Sequence, residues 1–277
     1  MDNSNRMPDR LDRKAYAEAN FAIFADPLIN EAIEQASALA HDADAGKLHK
    51  LRVALRRLRT LLWAYRPILD EQFDDEQRQL LKSLASAAGD TRAWDILIGL
   101  LETTGDRDLL NALQANRDKT AEQSAATLRE SHLDEALRES VYAAAQQLSA
   151  SPARTPMRRF AQRRVQAAQK QLHKRMRRAS KAGRSDYDAY HDVRKAGKKL
   201  RYLIEFFEPL LKKKQRKGLK DLKRLQKRYG ALNDVVASRD LLATHRQALP
   251  QNVDPTPALS ELKREQKRRI KAAARLL

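Results

Sequence analysis

Apolar residues recur at alternating three- and four-residue steps along most of this chain, which is the spacing of helices that bury one face. The run Leu48, Leu51, Leu55, Leu58 and Leu62 shows the pattern most clearly. Only eight glycines interrupt it, and good helix formers such as alanine, leucine, arginine and lysine dominate. We therefore predict an all-α protein with helices near residues 10–41, 46–66, 72–88, 91–104, 106–131, 133–149, 157–182, 187–208, 211–229, 234–248 and 257–275.

Proline and glycine indicate where these helices break. Asp26-Pro27 predicts an interruption of the first helix, because proline removes a hydrogen-bond donor and clashes with the preceding turn. The clearest linker is 149–156, and 249–257 predicts a looser loop. Five glycines stand near predicted helix ends, where a left-handed cap favours glycine: Gly46, Gly89, Gly105, Gly183 and Gly230.

A basic motif occurs twice, at a constant offset of 142 residues. His49-Lys-Leu-Arg52-Val-Ala-Leu-Arg56-Arg57-Leu-Arg59 reappears as His191-Asp-Val-Arg194-Lys-Ala-Gly-Lys198-Lys199-Leu-Arg201. A repeat of this length indicates two copies of one structural unit. We therefore predict two four-helix-bundle-like halves, 8–149 and 157–276, joined by the linker 150–156. The halves would be related by an approximate two-fold axis, with a basic groove between them.

The segments that follow the two motifs are also alike, at an offset of 141 residues. Gly89 and Arg92 correspond to Gly230 and Asn233. Acidic residues occur in both segments, and near basic faces they can either hold Mg²⁺ or buttress arginines. We favour buttressing, because Arg92 and Asp95 lie three residues apart on one helix face.

Charge is distributed unevenly along the chain. The formal net charge of +19 favours anionic partners such as nucleic acid, phosphate polymers or a membrane surface. Residues 1–150 hold 19 Lys and Arg against 25 Asp and Glu, whereas residues 151–277 hold 36 against 11. Inside the acidic first part, 47–66 has seven basic residues and no acidic one. That local reversal falls on the repeated motif.

The cations of each motif follow the same spacing as its apolar residues, one position later. One residue is about 100° of helical rotation, so the basic stripe lies beside the apolar face and would line a groove at a helix contact. Helices 157–182 and 211–229 carry similar stripes, the latter including Lys223. The candidate anion-binding residues are His49, Arg52, Arg56, Arg57, Arg59, Arg163, Lys170, Lys174, Arg177, Lys181, His191, Arg194, Lys198, Lys199, Arg201, Lys213, Lys220 and Lys227.

A solvated surface is the simpler interpretation of basic helix faces. Solvated helices, however, usually mix in acidic residues at four-residue spacing, and we expect the stripes to lack such partners. The segment 154–181 contains no acidic residue at all. Like charges at this spacing destabilise a helix, so an anionic ligand is expected to offset their repulsion.

Several classes of protein are excluded or disfavoured. The chain has no cysteine, which excludes disulfides and thiolate metal sites and fits a reducing compartment. Residues 1–20 lack an apolar signal core and no apolar run approaches a membrane span, so we expect a cytoplasmic protein. There is no His-x-x-x-His pair, phosphate loop, dinucleotide glycine pair or Gly-x-Ser-x-Gly. We expect no metal, no cofactor and no catalytic activity.

The doubled histidine helix, followed by a Leu-rich helix and a Gly-x-x-[Arg/Asn] turn, resembles the conserved histidine α-helical domain, the CHAD family. The likeness runs from about residue 8 to 275. It implies paired four-helix bundles around a basic channel, binding of inorganic polyphosphate, and association with polyphosphate granules. It also implies phosphate contacts at His49, Arg52, Arg56, Arg59, His191, Arg194, Lys198 and Arg201.

Three features set this chain apart from the family pattern or from some relatives. The family's Arg-Asp-x-Asp turn reads Arg92-Ala93-Trp94-Asp95 here, so one acidic residue is missing. Gly197 stands in mid-helix where the first copy has Ala54, which we interpret as close packing. The Glu-x-Glu-x-Lys signature of the triphosphate-hydrolase domain fused to some relatives is absent.

Non-enzymatic polyphosphate binding is the leading hypothesis from sequence. Nonspecific nucleic-acid binding is the alternative, since basicity alone allows it. Against it, aromatic residues make up only 5% of the chain and those near the stripes fit core positions, which leaves no platform for base stacking. A third hypothesis, an enzyme of phosphate metabolism, lacks a general base or metal cluster in the sequence.

Overall fold

The computed structural model describes residues 16–41, 45–87, 90–182 and 186–277. Those ranges contain α-helices and short 3-10 turns but no β-strand, with one isolated bridge between Tyr16 and Pro156. The predicted all-α fold is therefore confirmed. No helix in the described ranges combines the length and apolar character needed to cross a membrane. The helices are α1 (Phe21–His41), α2 (Ala45–Tyr65), α3 (Glu71–Ala87), α4 (Asp90–Leu101), α5 (Arg107–Glu130), α6 (Leu133–Ala150), α7 (Met157–Lys181), α8 (Tyr187–Phe207), α9 (Lys213–Arg216), α10 (Leu219–Thr244) and α11 (Thr256–Ala274).

Helix α1 continues through Pro27, so the interruption predicted at Asp26-Pro27 is wrong. Buried residues flank the proline on both sides: Phe24 and Ala25 precede it, and Leu28 and Ile29 follow. Their packing keeps the helix continuous in spite of the missing donor. Residues 16–20 form a turn and a 3-10 helix, and the earlier part of the predicted first helix lies outside the described residues.

The predicted boundary between helices 211–229 and 234–248 is wrong. The structure has a four-residue helix, α9, and then one long helix, α10, that passes through Gly230 without a break. Buried Tyr229 and Leu232 keep the helical spacing across that glycine. The break comes at Gly218 instead, whose φ of 99° is left-handed and suits glycine. Gly105 has a φ of 72° after α4, as predicted, whereas Gly89 and Gly183 lie outside the described residues.

The two motif copies occupy helices of equal length. Helix α2 begins and ends 142 residues before α8, and each is followed by a 3-10 helix, Arg66–Ile68 or Glu208–Leu210. The motif therefore lies on the same kind of element in both copies. The internal duplication and the division into halves at 150–156 stay predictions.

The core draws on both sides of residues 150–156. Aromatic rings join α1, α7 and α8, with Phe207 5.5 Å from Phe24 and 6.0 Å from Phe160 between ring centroids. A second cluster packs Trp94 and Leu97 of α4 with residues of α10 and α11. Because these clusters fix α2, α4, α8 and α10 as neighbours, the side chains on their shared face are brought together.

The segment between α6 and α7 is tied to residues near Tyr16. The backbone N–H of Ala17 donates to the carbonyl of Thr155 at 2.8 Å. The N–H of Thr155 in turn donates to the buried carboxylate of Glu18, 3.1 Å from one of its oxygens. Paired buried groups of this kind hold the connection in one conformation.

The two glycines of α10 predict opposite effects of the same substitution. Gly230→Ala should raise the free energy of unfolding by about 1 kcal/mol, because alanine favours a helix interior and no neighbouring atom lies within 4 Å of the added Cβ. Gly218→Ala should lower it by about 1–2 kcal/mol, because its backbone is left-handed. Denaturant unfolding of both variants tests the pair, and a destabilised Gly230→Ala would contradict an unbroken α10.

Candidate functional site

A cavity of about 540 Å³ opens between α2, α4, α8 and α10. Its walls are mainly basic and amide side chains, with a few small or apolar residues. The lining consists of His49, Arg52, Val53, Arg56, Arg92, Ala93, Ile96, Arg194, Lys198, Arg201, Tyr202, Lys223, Gln226, Lys227, Gly230, Asn233, Asp234, Ala237 and Ser238.

Cations greatly outnumber carboxylates in this lining. Asp234 is the sole carboxylate among the described residues that line the cavity. A strongly positive, partly enclosed site attracts anions because the low-dielectric walls focus its field. The cationic side chains are Arg52, Arg56, Arg92, Arg194, Lys198, Arg201, Lys223 and Lys227.

Packing of α2 against α8 explains why two basic stripes meet. On α2, Leu51 and Leu55 are fully buried, and the stripe one residue later turns Arg52 and Arg56 toward the cavity. On α8, buried Val193 directly precedes Arg194, which lines the same cavity. Each stripe is held at the rim of a well-packed contact, as the spacing predicts.

Tyr202 fixes the positions of two arginines at the cavity wall. Its hydroxyl accepts a hydrogen bond from Nε of Arg56 at 3.0 Å, and its ring lies 4.9 Å from the guanidinium carbon of Arg201. The ring itself is buried. A guanidinium held by a hydrogen bond or a ring face loses less freedom when it binds a ligand.

The expectation that the stripes lack acidic partners is wrong for Arg201. Glu205, four residues on, has a carboxylate oxygen 3.2 Å from Nε of Arg201. Arg194 and Arg201 both have a buried Nε that lacks a hydrogen-bond partner among the described residues, although Glu205 neutralises the charge of Arg201. A buried donor without a partner is costly, and a ligand oxygen would satisfy it.

Burial and nearby cations lower the pKa of Lys198 and of His49, both in the cavity lining. Burial, together with the charges of Arg56 and Arg194, lowers the pKa of Lys198 to about 7. The pKa of His49 is lowered by burial and then by Arg92 and other nearby cations. The cavity therefore disfavours protonation of Lys198 and His49, and a bound anion would favour it.

The two motif histidines have different surroundings. His49 lines the cavity. Nδ1 of His191 lies 3.0 Å from Oδ1 of Asn233, which also accepts a hydrogen bond from the Tyr187 hydroxyl at 3.0 Å. His191 thus holds Asn233, which lines the cavity, and is not itself part of the lining.

The structure brings some predicted residues into the cavity and places others elsewhere. The five α7 candidates, Lys213 and Lys220 are exposed, which suits long-range attraction rather than enclosure. Those that line the cavity are His49, Arg52, Arg56, Arg194, Lys198, Arg201 and Lys227. Those outside the lining are Arg57, Arg59, Arg163, Lys170, Lys174, Arg177, Lys181, His191, Lys199, Lys213 and Lys220.

Sequence reasoning missed Arg92 and Asn233 as lining residues. The offset of 141 residues already paired them, and both face the cavity from equivalent positions. Asp95 approaches Arg92 only at 4.0 Å and pairs more closely with Arg117, at 3.0 Å. The predicted buttress therefore acts mainly on Arg117 and leaves Arg92 directed at the cavity.

Gly197 permits close approach of α8 and α10 beside the cavity. A Cβ at this position would lie 2.9 Å from Cδ2 of Leu225, so the interpretation of close packing is confirmed. The amide of Gln226, which lines the cavity, donates to the Gly197 carbonyl at 3.2 Å. The described residues offer no group of three His, Asp or Glu side chains that could hold a metal ion.

Comparisons with known proteins place these features in context. Residues 25–243 match the CHAD domain family. The crystal structure of the CHAD domain from the plant Ricinus communis is similar, with a TM-score of 0.81, 23% identity, and coverage of 96% of this chain and 93% of that one. PptA from Streptomyces chartreusis has a TM-score of 0.67 and 16% identity, covering 95% and 98% of the two chains. At these identities the two structures show a shared fold. No curated protein matches the chain.

The lowered pKa of Lys198 predicts a pH dependence of stability without ligand. The unfolded chain holds the lysine proton up to pH 10.5, but the folded protein releases it near 7. Stability should therefore rise with pH between about 7 and 10.5. Lys198→Met should stabilise the protein most below pH 7, with the gain shrinking as pH rises through that window.

Chemical unfolding at several pH values measures this effect. Lys170→Met, on the exposed face of α7, is the matched control and should keep the pH slope of the wild type. If stability rose equally with pH in Lys198→Met and in the wild type, the pKa of Lys198 would not be lowered in the folded protein.

Proposed function

The chain belongs to the CHAD domain family, and we propose that it binds inorganic polyphosphate in the cavity between α2, α4, α8 and α10. The observation that carries the proposal is the lining itself, where eight cationic side chains face a single carboxylate among the described residues. A polyphosphate presents one negative charge for each phosphate along its chain. Successive phosphates would therefore meet successive cations of the two stripes.

The geometry suits a chain of phosphates better than one isolated anion. Arg52 and Arg56 stand one turn apart on α2, and Arg194 and Lys198 repeat that spacing on α8. A helical turn rises about 5.4 Å, so each helix offers charges at intervals along the cavity. Arginine gives fixed, bidentate contacts to phosphate oxygens, and lysine contributes a mobile point charge.

Nucleic-acid binding has less support from this site. Sequence-tolerant binding of single strands depends on exposed aromatic rings on which bases stack. Tyr202 is the one Phe, Tyr or Trp side chain among the described lining residues. Its ring is buried and already contacts Arg56 and Arg201, so it offers no stacking surface. A ligand without bases therefore fits the lining better.

We propose that binding involves no chemical turnover and that the protein acts at polyphosphate granules. The exposed cations of α7 would attract a polyanion from a distance, and the cavity would then enclose part of it. Such attraction is screened by salt, so affinity should fall as ionic strength rises, by analogy with other phosphate polymers.

Removal of four cavity cations should weaken polyphosphate binding by about a hundredfold or more, since each tenfold corresponds to about 1.4 kcal/mol. The variant combines Arg52→Ala, Arg56→Ala, Arg194→Ala and Lys198→Ala and should retain its helicity, because the apolar faces are untouched. The control removes four exposed α7 cations, through Lys170→Ala, Lys174→Ala, Arg177→Ala and Lys181→Ala. The affinity of this control for polyphosphate should fall by less than tenfold at the same salt concentration.

Calorimetric titration with polyphosphate, alongside circular dichroism, measures both variants. If the control lost as much affinity as the cavity variant, binding would depend on general surface charge. Unchanged affinity of a folded cavity variant would remove the cavity from the proposal.

Competition separates polyphosphate from nucleic acid. RNA or duplex DNA, at equal phosphate concentration, should fail to displace long-chain polyphosphate from the protein. Incubation with polyphosphate and Mg²⁺ should release no phosphate beyond the amount of protein. Efficient displacement would favour the nucleic-acid alternative, and continued phosphate release would indicate an enzyme.

A further inference from the structure

A second basic cluster lies around Trp63, outside the lining of the cavity. Its members are Arg59 and Trp63 on α2, Arg164 on α7 and Lys199 on α8, and we call it the Trp63 cluster. All four side chains are half-buried, so they are neither freely solvated nor sealed in the core. Arg59 and Lys199 were candidate anion-binding residues in the sequence, whereas Arg164 and Trp63 were not.

Two cations contact the indole of Trp63. The guanidinium carbon of Arg164 lies 4.2 Å from the ring centroid, and Nζ of Lys199 lies 4.1 Å from it. Nη2 of Arg164 also donates to the backbone carbonyl of Trp63 at 2.7 Å. Contacts of this kind hold cationic heads in place without neutralising their charge.

The cluster carries more positive than negative charge. Burial lowers the pKa of Lys199 to about 8, with further lowering by Arg164, Arg78, Arg59 and Arg175. Burial lowers the pKa of Arg164 to about 10, and its Nε has no hydrogen-bond partner among the described residues.

Carboxylates near the cluster are already paired with other arginines. Asp74 lies 3.0 Å from Nε of Arg78, and Asp192 lies 2.9 Å from Nη1 of Arg175. Within the described part of the chain, no carboxylate forms an ion pair with Arg59 or Lys199. The net positive charge therefore remains at Arg59, Arg164 and Lys199.

The cluster adjoins the cavity across the contact between α2 and α8. Arg56 lines the cavity and stands three residues before Arg59 on α2. The charge of Arg56 contributes to lowering the pKa of Arg59, after burial and Arg78. On α8, Lys198 lines the cavity and Lys199, the next residue, belongs to the cluster. A flexible anion leaving the cavity would thus meet these cations next.

We propose, on the basis of the proposed function, that Arg59, Arg164 and Lys199 form a second phosphate-binding subsite for the part of a polyphosphate chain that extends beyond the cavity. A cavity of about 540 Å³ is of a size that encloses a small ligand. It can hold a short oligophosphate, but a long chain must continue outside it. The subsite would bind that continuation and leave the affinity for short chains unchanged.

The comparison of short and long ligands separates the subsite from the cavity. The test variant, Arg59→Gln with Lys199→Gln, removes two charges, keeps polar side chains at both positions and leaves Arg164 against the indole. The control, Lys170→Gln with Lys174→Gln, removes the same charge from the exposed face of α7. Tripolyphosphate and a long-chain polyphosphate are titrated into each protein at one salt concentration, after circular dichroism confirms the fold.

The test variant should bind long-chain polyphosphate about tenfold more weakly and tripolyphosphate within twofold of the wild type. The slope of log affinity against log salt should also become shallower by about 1 to 2 for the long chain, as expected when about two phosphate contacts are lost. The control should change long-chain affinity by less than threefold. If the double variant lost helicity, Arg59→Gln alone, which leaves the indole contacts intact, should still weaken only the long chain.

Three results would overturn the subsite. If the test variant lost the same affinity for both ligands, Arg59 and Lys199 would contribute to binding in the cavity itself and would not form a separate subsite. If the wild type bound both ligands and the test variant kept its long-chain affinity, the cluster would only pack around Trp63. The proposed function would then be unaffected. Failure of the wild type to bind either ligand would overturn the proposed function together with the subsite.

Discussion

The structure depends on one constraint: cations must stand at the edge of the same helix contacts that form the core. Along α2 and α8 a basic stripe follows the apolar stripe one residue later, so packing of the leucines and aromatic rings forces the cations toward each other. Repulsion between them opposes that packing. Burial of residues such as Leu51, Leu55 and Phe207 stabilises the packing by more than the repulsion destabilises it, since each burial removes a large apolar side chain from water.

The protein limits this repulsion differently at different positions. Glu205 pairs with Arg201, and Asp95 pairs with Arg117. Tyr202 gives Arg56 a neutral hydrogen-bond acceptor. Within the described ranges Lys198 has no hydrogen-bond or ion-pair partner, and burial and nearby cations lower its pKa. Lys198 lines the cavity, where a polyanion could reach it, so binding of a polyanion is expected to stabilise the folded protein.

Sequence periodicity predicted the all-α fold and the two stripes because both follow from local helical geometry. It failed where tertiary packing overrides local preference. Pro27 stays inside α1 because apolar neighbours on both sides are buried, and Gly230 stays inside α10 for the same reason. The stripe of α7 has the same pattern as that of α2, yet it faces solvent. Nothing in a single helix's spacing says which other helices will close over its basic face.

The match to the CHAD family and the chemistry of the cavity both support one proposal, that the lining cations of α2 and α8 contact phosphate directly. A crystal structure of the protein with tripolyphosphate tests it most directly. We expect phosphate oxygens within hydrogen-bond distance of Arg52, Arg194 and Lys198. An empty cavity with tripolyphosphate bound only along the exposed cations of α7 would contradict it.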